Sequence, residues 1–162
     1  MKKIFCLCLL MLLLFSTGCR SSAAYRNDVS CQALTDAVCD QLNDEGGYLP
    51  FGEDHLRFFF DDTDDYADKS LVYSARSENI DEIGVFLCED DEDINEIRRL
   101  CEEYLTVLRA ENRAFIESYA PREAQKLDLA TVRVYDRYVI YAVLSQNDLD
   151  VALETIESLL QK

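Results

Sequence analysis

Histidine occurs once, proline twice and tryptophan not at all in these 162 residues, and the 16 basic side chains are half as numerous as the 32 acidic ones. The lone His55 has no serine or cysteine motif beside it, and no G-x-S-x-G run is present. A Ser/His or Cys/His hydrolase therefore lacks its parts. None of the seven cysteines falls in a C-x-x-C pair, which removes the usual zinc and redox spacings. The shortage of lysine and arginine leaves a net charge of −16, a surface that repels nucleic acid and anionic headgroups. After residue 18 no 18-residue apolar run occurs, so no later segment is expected to span a membrane. Neither a cofactor nor a resident metal is expected. The acidic stretch 61–68 fails the EF-hand test: counted from Asp62, the sixth place is Ala67 and the twelfth Tyr73, where the loop needs Gly and Glu.

What is present starts with Met1-Lys2-Lys3 and an apolar run over residues 4–15, then Phe15-Ser16-Thr17-Gly18-Cys19. As a helix that run reaches only about 18 Å, short of the ~30 Å hydrocarbon core. It reads as a signal segment, with small residues that lie extended in a peptidase groove. Cleavage before Cys19 would free its thiol for a diacylglyceryl group, the layout of a palmitate-type bacterial lipoprotein anchor. The expected organisation is a signal peptide over 1–18, a lipidated tether over 19–27 and a single extracytoplasmic domain over 28–162, held by lipid on the outer face of the cell membrane. Ordinary secretion with cleavage after Ser22-Ala23-Ala24 is the rival. Loss of Lys2 and Lys3 with the signal would take the net charge from −16 to −18.

An apolar content of 49%, with eight Phe and nine Tyr, supports a packed core over disorder. Four cysteines, Cys31, Cys39, Cys88 and Cys101, would remain in the domain. Cys31 and Cys39 are expected on one helix, about 12 Å apart and beyond disulfide reach. Bridges involving Cys88 or Cys101 stay open beside the simpler case of buried free thiols.

Along the chain, Cys31, Leu34, Val38 and Leu42 recur at helical steps, and Gly46-Gly47 closes a first helix over roughly 28–43. Residues 71–75 and 83–87 form a strand pair. Asp90-Asp91-Glu92-Asp93 suits the start of a long helix, whose stripe runs through Ile94, Ile97, Cys101, Leu105, Leu108, Phe115 and Tyr119 to Pro121. A second hairpin follows over 130–135 and 138–144, then a closing helix through Leu149, Leu153, Ile156 and Leu160, capped by Asn147 or Asp148. The order α-ββ-α-ββ-α predicts an α+β fold: an antiparallel sheet of about four strands in two hairpins, with three main helices mainly on one face.

Asp81-Glu82-Ile83-Gly84-Val85, Arg109 and Arg113, residues 115–119, Pro121-Arg122-Glu123-Ala124, and residues 139–144 followed by Asp148 together resemble the domain-of-unknown-function 4358 family. These are lipoproteins of Firmicute-type Gram-positive bacteria. The resemblance covers roughly residues 28–160. It implies a Gram-positive envelope and carries over no activity and no catalytic residues. The family often has glycine where Asp136 stands.

Two sets of side chains are candidates for contact. Arg109 and Arg113, four apart on one helical face, have the forked geometry to clamp a carboxylate or phosphate; ion pairs to Glu102, Glu117 or sheet acids are the competing use. Tyr119 and Arg122, at the corner that ends the long helix, are types that carry interface energy, although Tyr119 also fits the core stripe. The expected role is a lipid-anchored cell-surface binding or assembly module, partnered by the membrane through its lipid and by another envelope protein. A small envelope hydrolase using acidic residues is the alternative.

Overall fold

The computed structural model describes residues 25–42, 46–52, 54, 56 and 68–162. The signal and lipidation site expected at 1–18 and Cys19, the lone His55 and the acidic residues 61–67 lie outside them. Among the described residues the element order is α1 (Cys31–Gln41), β1 (Tyr48–Pro50), β2 (Asp68–Ser74), β3 (Glu82–Leu87), α2 (Asp91–Tyr119), α3 (Ala124–Leu129), β4 (Thr131–Tyr135), β5 (Tyr138–Val143) and α4 (Gln146–Leu160). The strands form one antiparallel sheet in the order β1-β2-β3-β5-β4. This is the expected α+β fold, with two short elements added: a fifth strand, β1, and a short helix, α3.

The helices start where side chains satisfy their first amides. Ser30 accepts from the Ala33 N–H at 3.2 Å, and Asp90 accepts from Glu92 and Asp93 at 2.8 and 3.1 Å. The closing helix is capped by Ser145, which accepts from the Asp148 N–H at 3.3 Å. Asn147 and Asp148, expected as caps, sit inside its first turn instead. Pro121 disfavours helical geometry in the residue before it, and α2 ends at Tyr119 with Ala120 at φ −139°. The β4–β5 turn places Asp136 at φ 52°, the left-handed region that Asp tolerates and glycine adopts without penalty.

The helices lie on both faces of the sheet, not mainly on one. Val72, Ile83, Val85, Tyr138, Ile140 and Ala142 pack with α1 and α4, while Leu71, Phe86, Val139, Tyr141 and Val143 pack with Ile97, Cys101, Tyr104 and Leu105 of α2. The reason is written in β5, where all six residues, Tyr138–Val143, are buried. A strand apolar on alternate residues in both directions needs cover on both sides. On the α1 face the buried hydroxyls of Thr35 and Ser70 meet at 2.7 Å, so neither is left unsatisfied. On the α2 face Gly84 stands opposite Tyr141. A Cβ there would fall 2.1 Å from the ring, so this close approach requires glycine.

The stripe read along α2 reaches the core only part of the way. Twenty-nine residues make a helix of about 43 Å, whereas a six-residue strand spans roughly 20 Å. Tyr104 already stands at the Glu82 end of β3, its hydroxyl 2.5 Å from the Glu82 carboxylate. The turns beyond it run past the sheet, and Phe115 and Tyr119 are 62% and 77% exposed. Tyr119 is therefore not a core residue.

Candidate functional site

Strand β3 begins at the end of the sheet where β5 finishes, since Glu82 pairs with Val143. Three segments converge there: the loop before β3, the corner and short helix after α2, and the first turn of α4. Lys126 on α3 reaches into this junction and is almost fully buried. Its Nζ donates to Asp81 Oδ1 at 2.6 Å, to Glu123 Oε2 at 2.6 Å and to Asn79 Oδ1 at 2.9 Å. Asp81 Oδ2 accepts in turn from Asn79 Nδ2 at 3.0 Å and from the Tyr48 hydroxyl at 3.4 Å.

Burial by itself would lower the Lys126 ammonium, but the bonds to Asp81 and Glu123 outweigh it and hold Lys126 above its ordinary value. Lys126 is thus charged at neutral pH. Burial pushes the Asp81 carboxyl up, and Lys126 draws it back. Beside this network lies a cavity of about 270 Å³ lined by Leu42, Tyr48, Arg76, Glu78, Asp148 and the ion-paired group.

The arginines singled out in the sequence brace the same corner. Arg109 donates from Nε to the Leu127 carbonyl at 2.7 Å and from Nη2 to the Ala130 carbonyl at 2.6 Å. It fastens the C-terminal end of α3, where carbonyls have no partner within the helix. Arg113 bonds Asp128 on α3 and reaches Glu117 at 3.4 Å. Both guanidiniums hold α3 against α2, so an added anion would have to displace a carbonyl or a carboxylate. Arg98 and Arg99 pair with Glu96, Glu102 and Glu103 along exposed turns, where solvent screens such pairs.

Tyr119 and Arg122 are both exposed at the corner. Tyr119 stacks on Phe115 with ring centroids 4.6 Å apart, and among the described residues Arg122 has no ion pair. The four cysteines in the described residues are free, Cys31, Cys88 and Cys101 being buried. Burial raises all of them, Cys39 to about 11 and Cys88 to about 12, which removes nucleophilic character. The described residues contain no group of three His, Cys, Asp or Glu able to hold a metal ion.

Neither Lys126 nor Asn79, which the sequence places only in the connection between β2 and β3, is marked in the sequence as a site residue. Asp81 and Glu123 stand in the motifs that carried the family resemblance, yet they are 42 positions apart and nothing in either motif says that one lysine joins them.

The fold and site define a small α+β domain with a polar, ion-paired cleft at one end of its sheet. The family model described as Domain of unknown function (DUF4358) matches residues 41–144, and the chain belongs to this family. No curated protein and no solved structure matches it.

Proposed function

We infer that the protein is a lipid-anchored extracytoplasmic binding or assembly module, attached through Cys19 and working at the opposite end of the domain. The observation that supports this reading is the separation of the two ends. Tyr25, the first described residue, bridges Gln161, and the Arg26 N–H donates to the Leu160 carbonyl at 2.8 Å. The chain therefore enters the domain beside the C-terminal end of α4. Asp148 in the first turn of the same helix lines the cleft, and twelve helical residues separate it from Leu160 by about 18 Å. Tyr25 follows Cys19 by six positions, a reach of at most about 20 Å. A lipid on Cys19 would keep the Tyr25 end near the bilayer and turn the cleft, Phe115, Tyr119 and Arg122 toward the exterior.

Exposed, mutually stacked aromatics beside an arginine that has no ion pair among the described residues are the side-chain types that most often carry binding energy at an interface. The hydrolase alternative would need acidic groups free to hold and pass a proton, and within the cleft Asp81 and Glu123 are not such groups, since both are bound to Lys126. In intact cells, Arg122→Ala should weaken recovery of a crosslinked envelope partner by about tenfold or more, as removing a central interface arginine does, with the melting temperature unchanged. Full recovery of every partner with Arg122→Ala would reject this surface.

A further inference from the structure

The ion pairs do not neutralise the cleft. Among the described residues its walls carry four carboxylates, Glu78, Asp81, Glu123 and Asp148, against two cations, Arg76 and Lys126. Arg76 lies 2.9 Å from Glu78, and Lys126 lies 2.6 Å from both Asp81 and Glu123. Among the described residues Asp148 has no cationic partner, and its carboxylate accepts from the Ser145 hydroxyl at 2.6 Å. A concave, half-enclosed space with this excess of negative charge concentrates cations.

The kind of cation follows from the wall. Calcium takes six to eight oxygens, but Arg76 and Lys126 already sit on the other carboxylates and would repel a divalent ion beside them more than a single charge. A primary ammonium brings one charge and three N–H donors, which Asp148 and the neighbouring carboxylates can accept without giving up their own partners. Leu42 and Tyr48 on the same wall offer an apolar track for an alkyl stem. The cavity of about 270 Å³ has room for roughly nine water-sized groups, the scale of a short aminoalkyl chain.

We propose that the cleft binds a small primary amine, its ammonium on Asp148 and its stem along Leu42 and Tyr48. This rests on the reading of the cleft end as the binding end and names the ligand chemistry there. The test titrates the full lipid-anchored chain in detergent micelles with 1,4-diaminobutane, with the uncharged 1,4-butanediol and with calcium, followed by calorimetry and by NMR shifts of cleft residues. The diamine should bind saturably and the diol should not. Asp148→Asn should weaken the diamine at least tenfold while the melting temperature falls by no more than a few degrees, because asparagine still accepts from Ser145 and only the first-turn charge is lost. Ser145→Ala, which removes the helix cap and keeps the carboxylate, should lower the melting temperature and leave diamine binding intact.

Equal response to diol and diamine, or full diamine binding by Asp148→Asn, overturns the proposal. Tighter binding of calcium than of diamine at the same residues also overturns it, replacing the ligand class with a metal ion. None of these readouts touches Arg122. Loss of the amine site with Arg122-dependent crosslinking retained would remove the ligand chemistry alone, and the reverse result would remove the partner surface alone.

Discussion

Glu82 shows how one buried side chain sets a pH dependence. Its carboxyl turns under α2, where the facing polar groups are the Tyr104 hydroxyl, which donates at 2.5 Å, and Tyr141 on β5. Burial pushes Glu82 up to about 7, the Tyr104 hydrogen bond opposing only part of the rise. Burial and the neighbouring Glu82 raise Tyr104 far above its ordinary value, so Glu82 is the group of this pair that titrates near neutrality. Because its folded value lies above the ordinary 4.5, the unfolded chain gives up the proton first. The contribution of Glu82 to stability is whole below pH 4.5, declines as pH rises toward 7 and is gone above it. Thermal melts over that range should show wild type losing stability relative to Glu82→Gln by up to about 1.4 kcal/mol per pH unit. Parallel curves for the two proteins would contradict this account. A glutamate beside an apolar strand carried no mark of this in the sequence, since its partner Tyr104 sits 22 positions away in another element.

At the scale of elements, α3 depends on charge as well as on packing. Its six residues are too few to be stable alone, and Glu123 at its N-cap makes no capping hydrogen bond. Arg109, Arg113 and Lys126 tie it to α2 and to the loop before β3. Lys126→Met would leave Asp81 buried without its cation, a loss of about 3–5 kcal/mol. Arg109→Met would leave the Leu127 and Ala130 carbonyls without their charged donor and cost about 1.5–3 kcal/mol. Denaturant melts should rank the variants in that order, and near-neutral melts for Lys126→Met would show that the ion pair does not hold the corner. The same element marks the limit of sequence reading. The long helix, both hairpins and the closing helix were legible because each repeats its apolar period over enough residues. Helix α3 and the three-residue β1 are shorter than any period can reveal. The side on which helices pack was misread because the two-faced burial of β5 resembles any short apolar run. The stripe through Phe115 and Tyr119 was carried too far because periodicity records a face and not where the sheet beneath it ends.

For the whole molecule, the two ends of the one domain are proposed to do different work. The entry end carries Tyr25, packed edge-on against Tyr135 at 5.4 Å, and follows the cysteine proposed for lipidation. Cys19→Ala should leave an unlipidated precursor, detected as the uncleaved mass in cell fractions. A wild-type mature chain that begins at Tyr25 would instead establish secretion after Ala24. The central claim is that partners meet the end bearing Tyr119 and the cleft. Photocrosslinking in intact cells tests it most directly, with a photoreactive residue placed in turn at Tyr119 and at Asp136, which lies in the turn next to Tyr135 at the entry end. The account predicts a discrete crosslinked protein from position 119 and none from position 136. A partner captured from position 136 alone would contradict it.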